Sequence, residues 1–216
     1  DIPAAADRLI HASAGIMASI DTLLGLKVLG TEIRAITGYE GKSETLLAFE
    51  RGEANIDGQT MPNYTGKVQP MIDEGKAVPL FSQGFIDGKG KLVADPSVPD
   101  LPTVADVYRS LNNGADPEGP AWSAYMAMTG ATVSLGRVLM VHEEAPDAAV
   151  EALEQGIASM LADPVFLKEI DASLNGYAPY AGEELEAAIN ATKAMSEDDK
   201  TWLQDFLARA YGARFE

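Results

Sequence analysis

Thr37, Gly38, Tyr39, Gly41, Lys42 and Ser43 gather two aliphatic hydroxyls, a phenol, an ammonium and two glycines into the run TGYEGKS. Such a group can hold a carboxylate. The Thr37 and Ser43 hydroxyls, the main-chain N–H groups of residues 41–43 and Lys42 would all donate to one anion. It contains no nucleophile and no general base, so the chemistry it suggests is binding without turnover. The spacing is GxxG, neither a Walker loop nor GxGxxG, and a plain glycine turn between a strand and a helix has the same appearance. Tyr39 stands on the turn itself and is placed to wall a pocket.

No rival constellation is present elsewhere. The chain has no GxSxG, no HExxH and no Walker pattern. It has no cysteine, which removes disulfides, thiolate catalysis and Cys-based zinc sites. No cofactor and no metal are expected. Of the two histidines, His142 ends the run GRVLMV beside Glu143 and Glu144. It reads as a surface residue, although a base at a strand end remains open. His11 reads as a partly exposed helix residue with no second ligand at metal spacing. Glu143-Glu144, Glu183-Glu184 and Asp198-Asp199 are adjacent pairs, so their side chains diverge and cannot flank one substrate bond.

The elements that must position the turn read as a βαβ unit. Residues 33–36 are a short β-rich strand between Gly30 and Gly38. Residues 42–51 have helical spacing through Leu46, Leu47 and Phe49, and 54–56 is a second apolar segment ending at Asp57-Gly58. Units of this kind place ligands at the carboxyl ends of their strands, and the first turn of the helix presents free N–H groups and a positive dipole end to an anion.

Around this unit, residues 3–26 read as one long helix with Pro3 near its start and Gly25 near its end. Residues 63–74 read as a helix weakened by Gly66 and Pro70, 76–82 as an edge strand bent at Pro79, and 84–102 as a long loop. Thr103 is a natural N-cap for a helix over 104–111. A helix over 122–128, a strand over 136–141 and helices over 147–162, 164–174, 182–195 and 197–211 complete the chain. A short strand is expected over 177–180.

The 216 residues carry a formal charge of −17. A surface of that sign repels nucleic acid and anionic membranes, and neither is expected as a partner. Residues 143–199 hold 14 acids against 2 lysines, a solvated face unsuited to an anionic ligand. No apolar run approaches the roughly 20 residues of a membrane span. No secretory leader pattern is found, and the chain opens at Asp1 and not at Met, so upstream residues are expected to have been removed or to lie outside it.

The run ITGYEGKSETLLAFERGEANIDG, residues 36–58, resembles the V-x-G-Y-x-G-x-x-E-x-x-L-A-x-x-R-G-E-x-D-G segment of the substrate-binding proteins of tripartite tricarboxylate transporters, the Bug family. Further likenesses follow in order. MIDEGKAVPL (71–80) is similar to a helix-to-strand step, and PSVPDLPTVADVY (96–108) to a loop of the lPdvPTlxel type. Residues 136–169 resemble a returning strand followed by P-x-x-x-v-x-x-L and l-x-D-P-x-F helices. The Pro-Phe-x-x-P-P of that family's returning strand is replaced here by VLMVHEEAP, residues 138–146.

The resemblance implies an α/β fold of the type II periplasmic-binding-protein kind and a non-catalytic periplasmic receptor that delivers a small carboxylate to membrane permease subunits. It adds Asp57, at the crossing between lobes, to the ligand-binding positions. It further implies that residues 1–120 form a second ligand-binding lobe and 121–216 the strand and helices returning to a first lobe. Most of that first lobe, and the glycine-rich loop before the opening helix, would be absent. An exposed apolar patch, weak ligand binding and a second chain covering the patch would follow. The alternatives are an α/β enzyme acting on a small organic acid with His142 as base, and an adaptor that binds another protein through that patch.

Overall fold

Residues 10–13, expected within a long helix, form a strand in the computed structural model, which describes residues 3–174 and 181–215. A 3₁₀ segment Pro3–Arg8 leads into β1, Ile10–Ser13. β1 runs parallel to β2, Arg34–Thr37, in the register Ile10 to Arg34 through Ser13 to Thr37. On its other edge His11 bridges Ile56, also parallel. Both edges of β1 are therefore hydrogen-bonded: the Arg34 amide donates to Leu9 O at 3.2 Å, and the Asn55 and Ile56 amides donate to Ile10 O at 3.0 and 3.2 Å. Pairing on two sides outweighs the helical spacing of Leu9, Ile10 and Ile16. Gly15, extended at φ −175°, ends any helix that might cross it. The segment 54–56, expected as a strand, contributes one bridge.

A 3₁₀ turn Ile16–Ser19 opens α1, Ile20–Val28, which is buried on nearly every side. Leu23 and Leu26 pack on Ile33 and Ile56, so this helix covers one face of the sheet. Ala12 faces the other way and meets Ala48 and Ala54, which puts α2, Lys42–Glu50, on the opposite face. The far side of α1 belongs to a larger core, where Ile20, Leu24 and Val28 meet Val104, Tyr125, Phe206 and Leu207. Each such apolar side chain taken fully out of water contributes about 1.5–3 kcal/mol. This core joins residues from both ends of the chain. The molecule is a mixed α/β structure.

The remaining elements surround these layers. α3, Met61–Asn63, passes through a π-helical turn, Tyr64–Val68, into α4, Gln69–Asp73, close to the expected helix. Residues 76–82 are not a strand: Val78 and Leu80 are exposed, and Ser82 alone bridges Thr103. The loop expected over 84–102 contains a short hairpin of β3, Phe85–Ile86, and β4, Leu92–Val93. α5, Val104–Leu111, begins at Thr103, whose side chain and that of Asp106 form a reciprocal capping box. α6, Pro120–Thr129, continues as a π-helical segment, Gly130–Ser134.

Residues 136–141 do not form the expected strand. Val138, Leu139, Met140 and Val141 are exposed, Leu139 and Met140 by 75% and 81%, because no sheet edge among the described residues lies beside them. α7, Asp147–Ala162, buries no residue, and its principal neighbour is α8, Pro164–Leu174. α9, Glu183–Lys193, and α10, Glu197–Tyr211, close the fold against α6. The strand expected over 177–180 lies outside the described residues. No described helix is long and apolar enough to cross a membrane.

Candidate functional site

The sheet order is β2, β1, then the bridge at Ile56, with α1 and α2 on opposite faces. The chain therefore reverses its winding between β1 and residue 56. A crevice at the carboxyl ends of the strands around such a reversal is where open α/β sheets take ligands. Three turns meet at the carboxyl ends of these strands: 13–15 after β1, 38–42 after β2 and 57–59 after the bridge.

Direct hydrogen bonds fasten the turns together. The Tyr39 amide donates to Ser13 O at 3.3 Å. Lys42 Nζ donates to Gly58 O at 2.6 Å, and Gln59 Nε2 donates to Lys42 O at 3.0 Å and also to Asp57 Oδ2. Two glycines make the geometry possible. Gly38 sits at φ +111°, where a side chain would be strained, and a Cβ on Gly58 would come within 2.3 Å of Thr22 Oγ1. Gly41 is extended, at φ 171°, with open space around it, so its conformation demands no glycine.

The donors expected to converge on one anion divide into two sets. The Glu40 amide is taken by the Glu44 carboxylate at 2.8 Å, and that of Tyr39 by Ser13. The amides of Gly41, Lys42 and Ser43, at the start of α2, have no acceptor among the described residues. Thr37 and Ser43 are exposed, and Lys67 Nζ lies 3.4 Å from Ser43 Oγ. The Lys42 ammonium gives one of its three protons to the Gly58 carbonyl, which ties α2 to the neighbouring turn. Asp57 is held by Gln59, has its second carboxylate oxygen buried with no hydrogen-bond partner among the described residues, and has its pKa raised chiefly by burial.

His11 is the principal departure from the sequence reading. It is 0% exposed in the middle strand, not a partly exposed helix residue. Its Nδ1 lies 3.2 Å from Ile56 O and its Nε2 2.8 Å from Ser19 Oγ, and Ser19 Oγ is 2.7 Å from Ser13 Oγ. Ser13 Oγ in turn donates to Gly15 O at 2.7 Å. Burial lowers the His11 pKa; the Ile56 carbonyl and the charges of Asp57 and Asp21 oppose that shift, while Lys42 adds to it. Ser13, Ser19, Gly58 and Gln59 were not singled out from sequence. The signal available was the small-residue run Ser13-Ala14-Gly15 after Leu9-Ile10, which interrupts a helical pattern and suits a turn after a strand.

Ser19 and His11 have the contact of a nucleophile and its base, but at 1% and 0% exposure neither is open to a substrate. His142 stands in the exposed 136–146 segment, where its Nδ1 accepts the Glu144 amide at 3.2 Å. No group of three or more metal-ligating side chains occurs among the described residues. Comparison with protein-family models, with curated proteins and with solved structures finds no match.

Proposed function

We propose that this chain is the ligand-gripping part of a non-catalytic receptor for a small carboxylate, of the type II periplasmic-binding-protein kind and related to the substrate-binding proteins of tripartite tricarboxylate transporters. The observation that carries this reading is the set of free amides of Gly41, Lys42 and Ser43, opening α2 beside the reversal point of the sheet. Free first-turn amides and the helix dipole suit an anion, and the Thr37 and Ser43 hydroxyls stand beside them. Gly38 and Tyr39 shape the turn, and Asp57 borders it from the third loop. Burial of the only close Ser–His contact described above supports binding over turnover.

In this reading the receptor works in the periplasm and passes its ligand to membrane permease subunits. A second chain, or a further lobe, covers Val138, Leu139, Met140 and Val141, and the ligand is gripped weakly without it. The same exposed residues favour a second reading, a protein-binding adaptor built on this fold.

Thermal unfolding in a panel of mono-, di- and tricarboxylates tests the proposal. One member should raise the midpoint in a concentration-dependent way and be recovered unchanged. Consumption of that ligand would transfer the case to an enzyme. A flat response across the panel, with tight capture of a protein partner, would favour the adaptor.

A further inference from the structure

The buried chain of contacts through His11 has both ends on carbonyl oxygens. It runs from Ile56 O to His11 Nδ1, from Nε2 to Ser19 Oγ, on to Ser13 Oγ, and ends at Gly15 O, over 3.2, 2.8, 2.7 and 2.7 Å. Four contacts need four protons, and the terminal carbonyls can only accept. Neutral imidazole supplies one N–H and the two serines one O–H each, which makes three. One pair of acceptors then faces itself along a chain whose side chains, His11, Ser19 and Ser13, are all buried, where an unmade hydrogen bond is costly. The imidazolium ion supplies the fourth proton.

We propose that His11, Ser19 and Ser13 form a proton-accepting latch, in which protonation of the imidazole completes the chain and fixes the turn 13–15 at the mouth of the site. Deprotonation leaves one contact without hydrogen and loosens that turn. The inference stands whatever ligand the site takes.

The charged groups facing His11 come from three elements. Asp57, following the Ile56 bridge, and Asp21, on α1, favour the cation, while Lys42, on α2, opposes it. From β2 the register neighbour is Ala35, which carries no charge. Burial also opposes the cation and outweighs the groups that favour it, so the midpoint lies below the ordinary histidine value; the latch closes as pH falls through that midpoint and opens as pH rises through it.

The protein has two histidines, and exposed His142 is an internal reference. Imidazole ¹⁵N shifts of both rings, followed between pH 4.5 and 8, test the latch in the intact chain. Above its midpoint the neutral His11 ring should carry its proton on Nδ1, facing Ile56 O. Ser13→Ala removes a link that does not touch the ring and lets the neutral chain satisfy every remaining contact. It should therefore lower the His11 midpoint by about one pH unit, tenfold in proton affinity, and leave His142 unmoved. An unchanged or raised midpoint would overturn the proposal. A reading that needs no variant is the Gly15 amide, which donates to Ser13 Oγ at 3.3 Å. Its shift should follow the His11 midpoint in the unmodified protein, and a flat Gly15 response would equally sink the latch, including where Ser13→Ala does not fold.

Discussion

Among the described residues, Asp57 is the one ionisable side chain with a buried oxygen that lacks a hydrogen-bond partner. Burial raises its pKa, so the folded state holds that proton more tightly than the unfolded chain. Its contribution is therefore present below the ordinary carboxylate pKa and lost as pH rises through the raised value. Asp57→Asn keeps an acceptor for Gln59 and removes the charge. At pH 7 it should stabilise the fold by roughly 1 kcal/mol, about 2–4 °C in a chain of this size, with the gain vanishing near pH 4. Calorimetry at both pH values checks this. Gly58 is constrained by space: a Cβ there meets Thr22 Oγ1 at 2.3 Å. Gly58→Ala should cost about 1–3 kcal/mol, and Thr22→Ala in the same chain should recover much of it, measured by urea unfolding. Of these two residues only Asp57 is singled out by sequence, through family resemblance. The reason Gly58 is glycine lies on α1, some 36 positions away, and no local pattern announces it.

At the scale of elements, α2 tests whether main-chain donors matter. Lys42 is its first residue and follows an extended Gly41, so proline is tolerated there. Lys42→Ala removes the ammonium, and Lys42→Pro removes the ammonium and one amide. If the amides grip a carboxylate, Lys42→Pro should bind about tenfold more weakly than Lys42→Ala by titration calorimetry, while equal affinities would remove that amide from the site. α5 offers a separate measurement. Thr103→Ala breaks the capping box and should cost about 1 kcal/mol. The Thr103 amide and hydroxyl hold Asp106 below its usual carboxylate pKa, so its stabilisation is present above that usual value and fades as pH falls through the lowered one. That helix and its cap were legible in sequence because their signals are local, as were α2, α7 and α10. β1 was not, since its strand character comes from partners at 34–37 and 56. The run 136–141 failed in the opposite sense: its residues suit a strand, but no strand among the described residues lies beside them to pair.

Across the whole molecule, α1 is shared by two cores and holds the sheet to the C-terminal helices, whereas α7 and α8 lie mainly against each other. Amide exchange should be slowest in α1 and much faster in α7, where no residue is buried. The candidate site was half legible at this scale: the turn 37–43 is in the sequence, while its meeting with residues 13–15 and 57–59 depends on the reversal of winding. The bare stretch of Val138, Leu139, Met140 and Val141 has a further consequence. A protease admitted there would leave two polypeptides, one ending after α6 and one carrying α9 and α10. Because α6 packs on both of those helices, the two pieces should remain together as a nicked particle. Separately expressed halves should likewise find each other and reassemble.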